Sequence, residues 1–136
     1  MLVLTERTDH LDAIRTKLAA RVSTMFTLHG RMSRKQRAAL IGELDALPLP
    51  PDTPRVLLST GKLIGEGFDH APLDTLVLAM PISGKGTLQQ YAGRLHREHA
   101  DKTRVRVIDF VDACHPALLR MWDKRRRGYQ AMGYRI

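Results

Sequence analysis

"LVLTERTDHLDAIRTKLAARVSTMFTL", residues 2–28, decides the fold. Its first four residues are apolar or β-branched and read as a strand. In "DHLDAIRTKLAA", Leu11, Ile14 and Leu18 then recur at helical spacing behind Asp9, a residue suited to an N-cap. "VSTMFTL", residues 22–28, returns to strand composition. A strand, a helix and a second strand joined by short turns form a crossover unit. Such units are right-handed and build a parallel sheet.

Outward from this unit the pattern repeats. After "HGRM", Ser33 is placed to cap a helix through "RKQRAALIGELDAL", which the prolines of "PLPPDTP" stop. "RVLLST" (residues 55–60), "TLVLAM" (75–80) and "TRVRVIDFV" (103–111) are predicted strands. "GTLQQYAGRLHR" (86–97) is a predicted helix with Thr87 as its cap candidate, and a last helix begins near Pro116. The expected class is α/β: a three-layer α/β/α sandwich with a mainly parallel sheet covered on both faces, its functional loops at the carboxyl ends of strands. Its 136 residues suit one domain, 1–136, with 112–136 a basic helical tail. The proline stretch is too short to divide it.

Twenty-two Lys and Arg against 14 Asp and Glu give a formal charge of +8, a balance that attracts nucleic acid or nucleotide phosphates without naming either. The single cysteine, Cys114, cannot form an internal disulfide and has no nucleophile-like neighbours, so it is expected to be an inert thiol. No signal-peptide pattern opens the chain and no apolar run approaches the ~18 residues of a membrane span. A cytoplasmic location and no membrane partner are expected. The six histidines show no ligand spacing with carboxylates or the cysteine, so no metal site is expected on this chain.

Two stretches carry chemistry. "STGKLIGEGFDHAP", residues 59–72, interleaves Gly61, Gly65 and Gly67 with Thr60, Lys62, Glu66 and Asp69. Glycines permit close backbone approach, hydroxyls and amides hold phosphate oxygens, and a carboxylate suits a ribose hydroxyl; an ordinary glycine-rich turn has the same composition. It is not a phosphate-binding P-loop. Leu63 follows Lys62, Val56 stands at the first glycine position, and Lys85 precedes Gly86. In "QYAGRLHR", residues 90–97, a helix sets Gln90, Arg94 and Arg97 on one face around Gly93, a residue that costs about 1 kcal/mol in a helix interior. Guanidiniums are planar, permanently charged and shaped for phosphate, though a solvated cationic face also has this spacing.

"QYAGRLHR" matches Q-x-x-G-R-x-x-R and resembles motif VI of superfamily 2 helicases, the DEAD/DEAH-type nucleic-acid translocases. "LLSTGKLIGEGFDHAPLDTLVLAMP" resembles their motif V with the strand after it. "LVLTERTDHLDAI" and "TLHGRMSRKQRAALI" resemble motif IV and the following "HG" segment. The similarity covers roughly residues 1–111 in the right order, and "GEGFD" and "GRLHR" look closer to the restriction-enzyme and repair-type branch.

The resemblance implies a RecA-like P-loop NTPase fold, second lobe, with ATP bound in the cleft against a first RecA-like lobe that carries the phosphate loop and the acidic box for Mg2+. By that resemblance Arg97 is the arginine finger, Arg94 a second contact to phosphates or acidic box, and Gln90 a polar organiser of the cleft. Gly93 admits the opposing surface, Gly67 forms a close-approach turn and Asp69 lies near the ribose. Thr60, Gly61, His29, Gly30 and Arg31 would follow the backbone of DNA or RNA, while Glu66 stands where many relatives have arginine. Alone, the chain is expected to be an inactive fragment of a larger ATP hydrolase.

The tail "HPALLRMWDKRRRGYQAMGYRI" sets Lys124, Arg125, Arg126 and Arg127 beside Trp122, Tyr129 and Tyr134. Either these groups grip nucleic acid, or Leu118, Leu119 and Trp122 pack on the sheet while the charges face water. Two other classes compete with the motor reading. A non-catalytic RecA-like nucleic-acid-binding or interaction module would not need both Arg94 and Arg97, and a flavodoxin-like regulator would need glycine in "TERTDH".

Overall fold

Five parallel strands lie in the order β2-β3-β1-β4-β5: β1 (Leu2–Thr5), β2 (Thr24–Thr27), β3 (Arg55–Thr60), β4 (Thr75–Leu78) and β5 (Arg106–Asp109). The structure, a computed structural model, describes residues 1–22, 24–28, 32–46, 55–60, 73–80, 85–93, 95–96 and 104–136. Among the described residues the helices are α1 (Thr8–Leu18), α2 (Arg34–Ala46), α3 (Lys85–Gly93) and α4 (Pro116–Ala131). The architecture is the expected α/β one, a RecA-like parallel sheet between helical layers.

Strand β1 is central, and all four of its residues are buried. Its register places Leu2 against Leu57 and Leu76, and Leu4 against Ser59 and Leu78. Because side chains alternate along a strand, Leu2, Leu4, Leu57, Leu76 and Leu78 share one core cluster, while Val3, Val56 and Leu58 form another with Leu11 of α1. This two-sided burial explains why the strands read as unbroken apolar runs. Each buried leucine contributes about 1.5–3 kcal/mol.

The cover is uneven. The chain steps from β1 to β2 in one direction across the sheet and from β2 through β3 and β4 to β5 in the other, so right-handed crossovers place α1 on one face and α2 and α3 on the opposite one. Tyr129, Trp122 and Met132 join α4 to the α3 side. On α1's face the β5 end of the sheet stays open, with Ile108 40% and Phe110 67% exposed.

Several local expectations are corrected. Strand β2 is confined to Thr24–Thr27, β4 to Thr75–Leu78 and β5 to Arg106–Asp109, because those are the residues with ladder partners. Arg7, not Asp9, occupies the N-cap of α1, and Asp9 stands in the first turn, paired with Arg7 at 2.8 Å. The Arg7 hydrogen bond holds the Asp9 carboxyl below its ordinary pKa. Thr87 is the third residue of α3, which begins at Lys85. Ser33 does cap α2, and reciprocally: the Gln36 N–H donates to Ser33 Oγ at 3.1 Å, and the Ser33 N–H donates to Gln36 Oε1 at 2.8 Å. Pro116 opens α4, where a missing N–H costs nothing.

Candidate functional site

Of the residues singled out by sequence, Gln90, Gly93 and Thr60 are described; Arg94, Arg97, Gly61, Gly67, Asp69, His29, Gly30 and Arg31 lie outside the described residues, as do Lys62 and Glu66. The three described ones do not share a rim. Thr60 ends β3 at the carboxyl edge of the sheet. Helix α3 descends from the carboxyl end of β4 toward the amino end of β5, so Gln90 and Gly93 lie progressively farther from that edge. The end of α3 therefore lies away from the carboxyl rim, because a crossover helix runs antiparallel to its strands.

At the carboxyl rim Thr60 lies in register with Thr5 of β1, and Ser59 Oγ donates to the Thr60 carbonyl at 3.0 Å. Thr5 Oγ1 is 2.9 Å from His10 Nδ1 at the start of α1. Thr5 and His10 thus join Thr60 on one polar edge. In the sequence they are hidden in a loop notable only for lacking glycine, and the pairing of β1 with β3 brings them into view.

Helix α3 is amphipathic for a local reason: Leu88, Tyr91, Ala92 and Leu95 are buried, while Gln89, Gln90 and Gly93 face out. Burial, with Glu6 nearby as a weaker influence, raises the Tyr91 hydroxyl above its ordinary pKa. Gly93 closes the α-helix; it is not interior as expected. Beyond it the Leu95 N–H donates to the Ala92 carbonyl at 3.0 Å and the His96 N–H to the Gly93 carbonyl at 3.2 Å, the tighter i to i−3 pattern of a helix end. Gly93 has no left-handed φ, and a Cβ built on it meets nothing within 4 Å. Nothing in the described chain requires a glycine there.

The tail packs behind this helix end. Arg125 is 2% exposed and forms a bidentate pair with Asp109 of β5, Nε to Oδ2 at 2.7 Å and Nη2 to Oδ1 at 2.9 Å. Tyr129 donates its hydroxyl to Asp109 Oδ2 at 2.7 Å. The guanidinium also lies 5.7 Å from the Trp122 ring centroid. Of the four consecutive cations, then, Arg125 is turned inward; Arg126 pairs with Asp123 at 3.5 Å, and Lys124 and Arg127 are exposed. Trp122 and Leu118 are half-buried as the packing alternative required, but Leu119 is exposed.

Three tyrosine hydroxyls, on Tyr91, Tyr129 and Tyr134, are raised above 10.0, in each case chiefly by burial, and for Tyr129 further by its hydrogen bond to Asp109. A raised folded pKa means the unfolded chain releases its proton first. The stability these groups contribute is therefore fully present below pH 10 and lost as pH rises through the folded values. Urea midpoints measured across this range should fall on the alkaline side, and Tyr129→Phe should flatten the fall.

Among the described residues there is no cluster of three or more His, Cys, Asp or Glu able to hold a metal ion, and no helix long and apolar enough to cross a membrane. Cys114 is exposed, its N–H bonded to Asp112 Oδ1 at 3.0 Å.

Residues 1–99 match the helicase conserved C-terminal domain family. Uncharacterized protein 108L of Invertebrate iridescent virus 3 is 38% identical over 82 residues, covering 60% of this chain and 74% of that protein. The fold resembles the crystal structure of the C-terminal part of the Fun30 ATPase domain, with a TM-score of 0.74 at 17% identity over 90% of this chain and 38% of that one. It also resembles the crystal structure of T4 UvsW, with a TM-score of 0.70 at 20% identity over 96% of this chain and 28% of that one. The chain thus spans well under half the length of either solved structure.

Proposed function

The chain belongs to the helicase conserved C-terminal domain family, and from that premise we propose that it is the second motor lobe of an ATP-dependent nucleic-acid helicase or translocase. The observation that carries the reading is Gly93. It is exposed and helical in backbone, and a Cβ built on it meets nothing within 4 Å, so the surface above it is open to a closely approaching partner. In this reading a facing first RecA-like lobe approaches the helix end there. Arg94 and Arg97 then complete an ATP pocket whose phosphate loop and Mg2+-holding carboxylates belong to the other lobe, with Gln90 ordering the cleft between them. Asp69 is assigned to the nucleotide's ribose and Gly67 to a close-approach turn beside it.

The separation of Thr60 from the end of α3 supports two tasks on two surfaces. Thr60 and Gly61, with His29, Gly30 and Arg31, are assigned to the nucleic-acid backbone. Hydroxyls, amides and cations there read phosphate and not sequence, and the charge of +8 favours the polyanion. On "GEGFD" and "GRLHR" we place the motor in the restriction-enzyme and repair-type branch.

The direct test compares the chain alone with a polypeptide that joins it to its first lobe. The chain alone should bind ATP weakly by isothermal titration and hydrolyse none, and the two-lobe protein should hydrolyse ATP faster when DNA or RNA is added. Hydrolysis by the chain alone, or a two-lobe ATPase indifferent to both nucleic acids, overturns the proposal.

A further inference from the structure

We infer that Tyr134 is a positioning residue for the turn at Leu95 and His96, which Arg94 and Arg97 flank in the sequence, acting through His96; this rests on the motor reading above. Tyr134 Oη lies 2.9 Å from His96 Nε2 across 38 residues of sequence, with the rings edge-to-face at 5.7 Å. Among the described residues, the turn has little else of its own to define it. Regular helical bonding ends at Gly93, and Leu95 and His96 are held by i to i−3 bonds, a poorer geometry that leaves the direction of the exit to side-chain anchors. Leu95, fully buried, anchors the inner side. His96 is exposed, and Tyr134 holds it.

For that contact to fix anything, Tyr134 must itself be fixed, and the tail supplies this at three levels. Gly133, at φ 92°, takes the left-handed conformation that ends α4, with the Tyr134 N–H donating to the Tyr129 carbonyl at 2.9 Å and the Gly133 N–H to the Gln130 carbonyl at 3.1 Å. These are the paired bonds of a Schellman cap, and they turn Tyr134 back toward α3. The Tyr134 ring meets Tyr129 edge-on at 5.9 Å, and Tyr129 is tied to Asp109 and through it to Arg125. Gly128 lets α4 lie directly against α3, since a Cβ there would stand 2.9 Å from Leu88 Cδ2. The contacts therefore run unbroken from the end of β5 to the residue that precedes Arg97. His96 and Tyr134 form a brace between the last helix and the turn at Leu95 and His96.

The test uses the two-lobe protein. Tyr134→Phe keeps the ring stack and removes only the hydroxyl, so it should leave the urea midpoint near that of the parent while lowering kcat about tenfold or more, with the KM for ATP unchanged. His96→Phe removes the same contact from the exposed side and should give the same split, and the double variant should be no worse than either single one. In parallel, the imidazole nitrogen resonances of His96 in this chain should shift in Tyr134→Phe. An unchanged kcat in both single variants, or unmoved His96 resonances, overturns the brace while leaving the motor reading intact. An unchanged kcat in Arg97→Ala overturns the motor reading, and the brace falls with it.

Discussion

If the chain is the second motor lobe proposed above, Arg97→Ala should lower the kcat for ATP hydrolysis of the two-lobe protein by about 10³- to 10⁵-fold and weaken ATP binding far less. Phosphoryl transfer asks little covalent chemistry of the protein; positioning and stabilisation of charge on the transferring oxygens supply most of the acceleration, and an arginine finger in other phosphoryl-transfer enzymes has this magnitude. The contrast between kcat and binding follows because the guanidinium is needed most where charge has shifted in the transition state. Arg97→Lys should recover only a small part of the loss, since an ammonium is a compact point charge without the planar fork that spans two oxygens. Steady-state hydrolysis at saturating nucleic acid checks the effect. A loss smaller than about tenfold would show that Arg97 lies away from the reacting phosphate. The size also separates this residue from Tyr134, which acts at one remove and should cost far less.

The fold was legible because its strands announce themselves. A strand buried on both faces keeps no polar alternation, and Leu2, Val3 and Leu4 or Val56, Leu57 and Leu58 stand in the sequence as they stand in the core. Boundaries were less legible, since a strand ends where its partner ends. Nothing in "TRVRVIDFV" itself says that β4 offers ladder partners only to Arg106–Asp109. Caps divided in the same way. Ser33 has Gln36 three residues on and forms the reciprocal pair, whereas Asp9 is drawn into a bond with Arg7, and that leaves Arg7 at the cap.

The tail is the instructive failure. A run of four cations reads as a solvated face, but a helix turns 100° per residue, so in one packed along a stripe a member of such a run can fall on the buried side. Arg125 stands three residues after Trp122 and four before Tyr129, on the stripe that packs inward. Its partner was equally visible: Asp109 shares its strand face with Val107, so one inward position of β5 carries a carboxylate that burial obliges to find a cation. The candidate site was legible as residue types but not as a place. The separation of Thr60 from Gln90 and Gly93 depends on the direction in which α3 crosses the sheet, and the brace depends on a contact between residues 96 and 134 that no local pattern encodes.

The buried pair makes the second large effect calculable. Asp109→Ala takes the bidentate Asp109 carboxylate from Arg125, which is 2% exposed, and the acceptor from Tyr129, and removing one member of such a pair costs about 3–5 kcal/mol. Against a whole-domain stability of about 5–15 kcal/mol this is a large fraction, so α4 should detach or the chain unfold at much lower urea. Arg125→Met strands the carboxylate instead and should cost a similar amount. The pair Asp109→Leu with Arg125→Met should restore much of the loss, because two apolar groups of similar volume need no partners, although Tyr129 then lacks an acceptor and Tyr129→Phe should be added to complete the recovery. Added salt should change the parent's stability little through this contact, since buried pairs are poorly screened. Urea unfolding of the single, double and triple variants checks the series. A single-variant loss under about 1 kcal/mol, the range of an exposed pair, would mean that water reaches Asp109 and that α4 is held by its aromatic face alone.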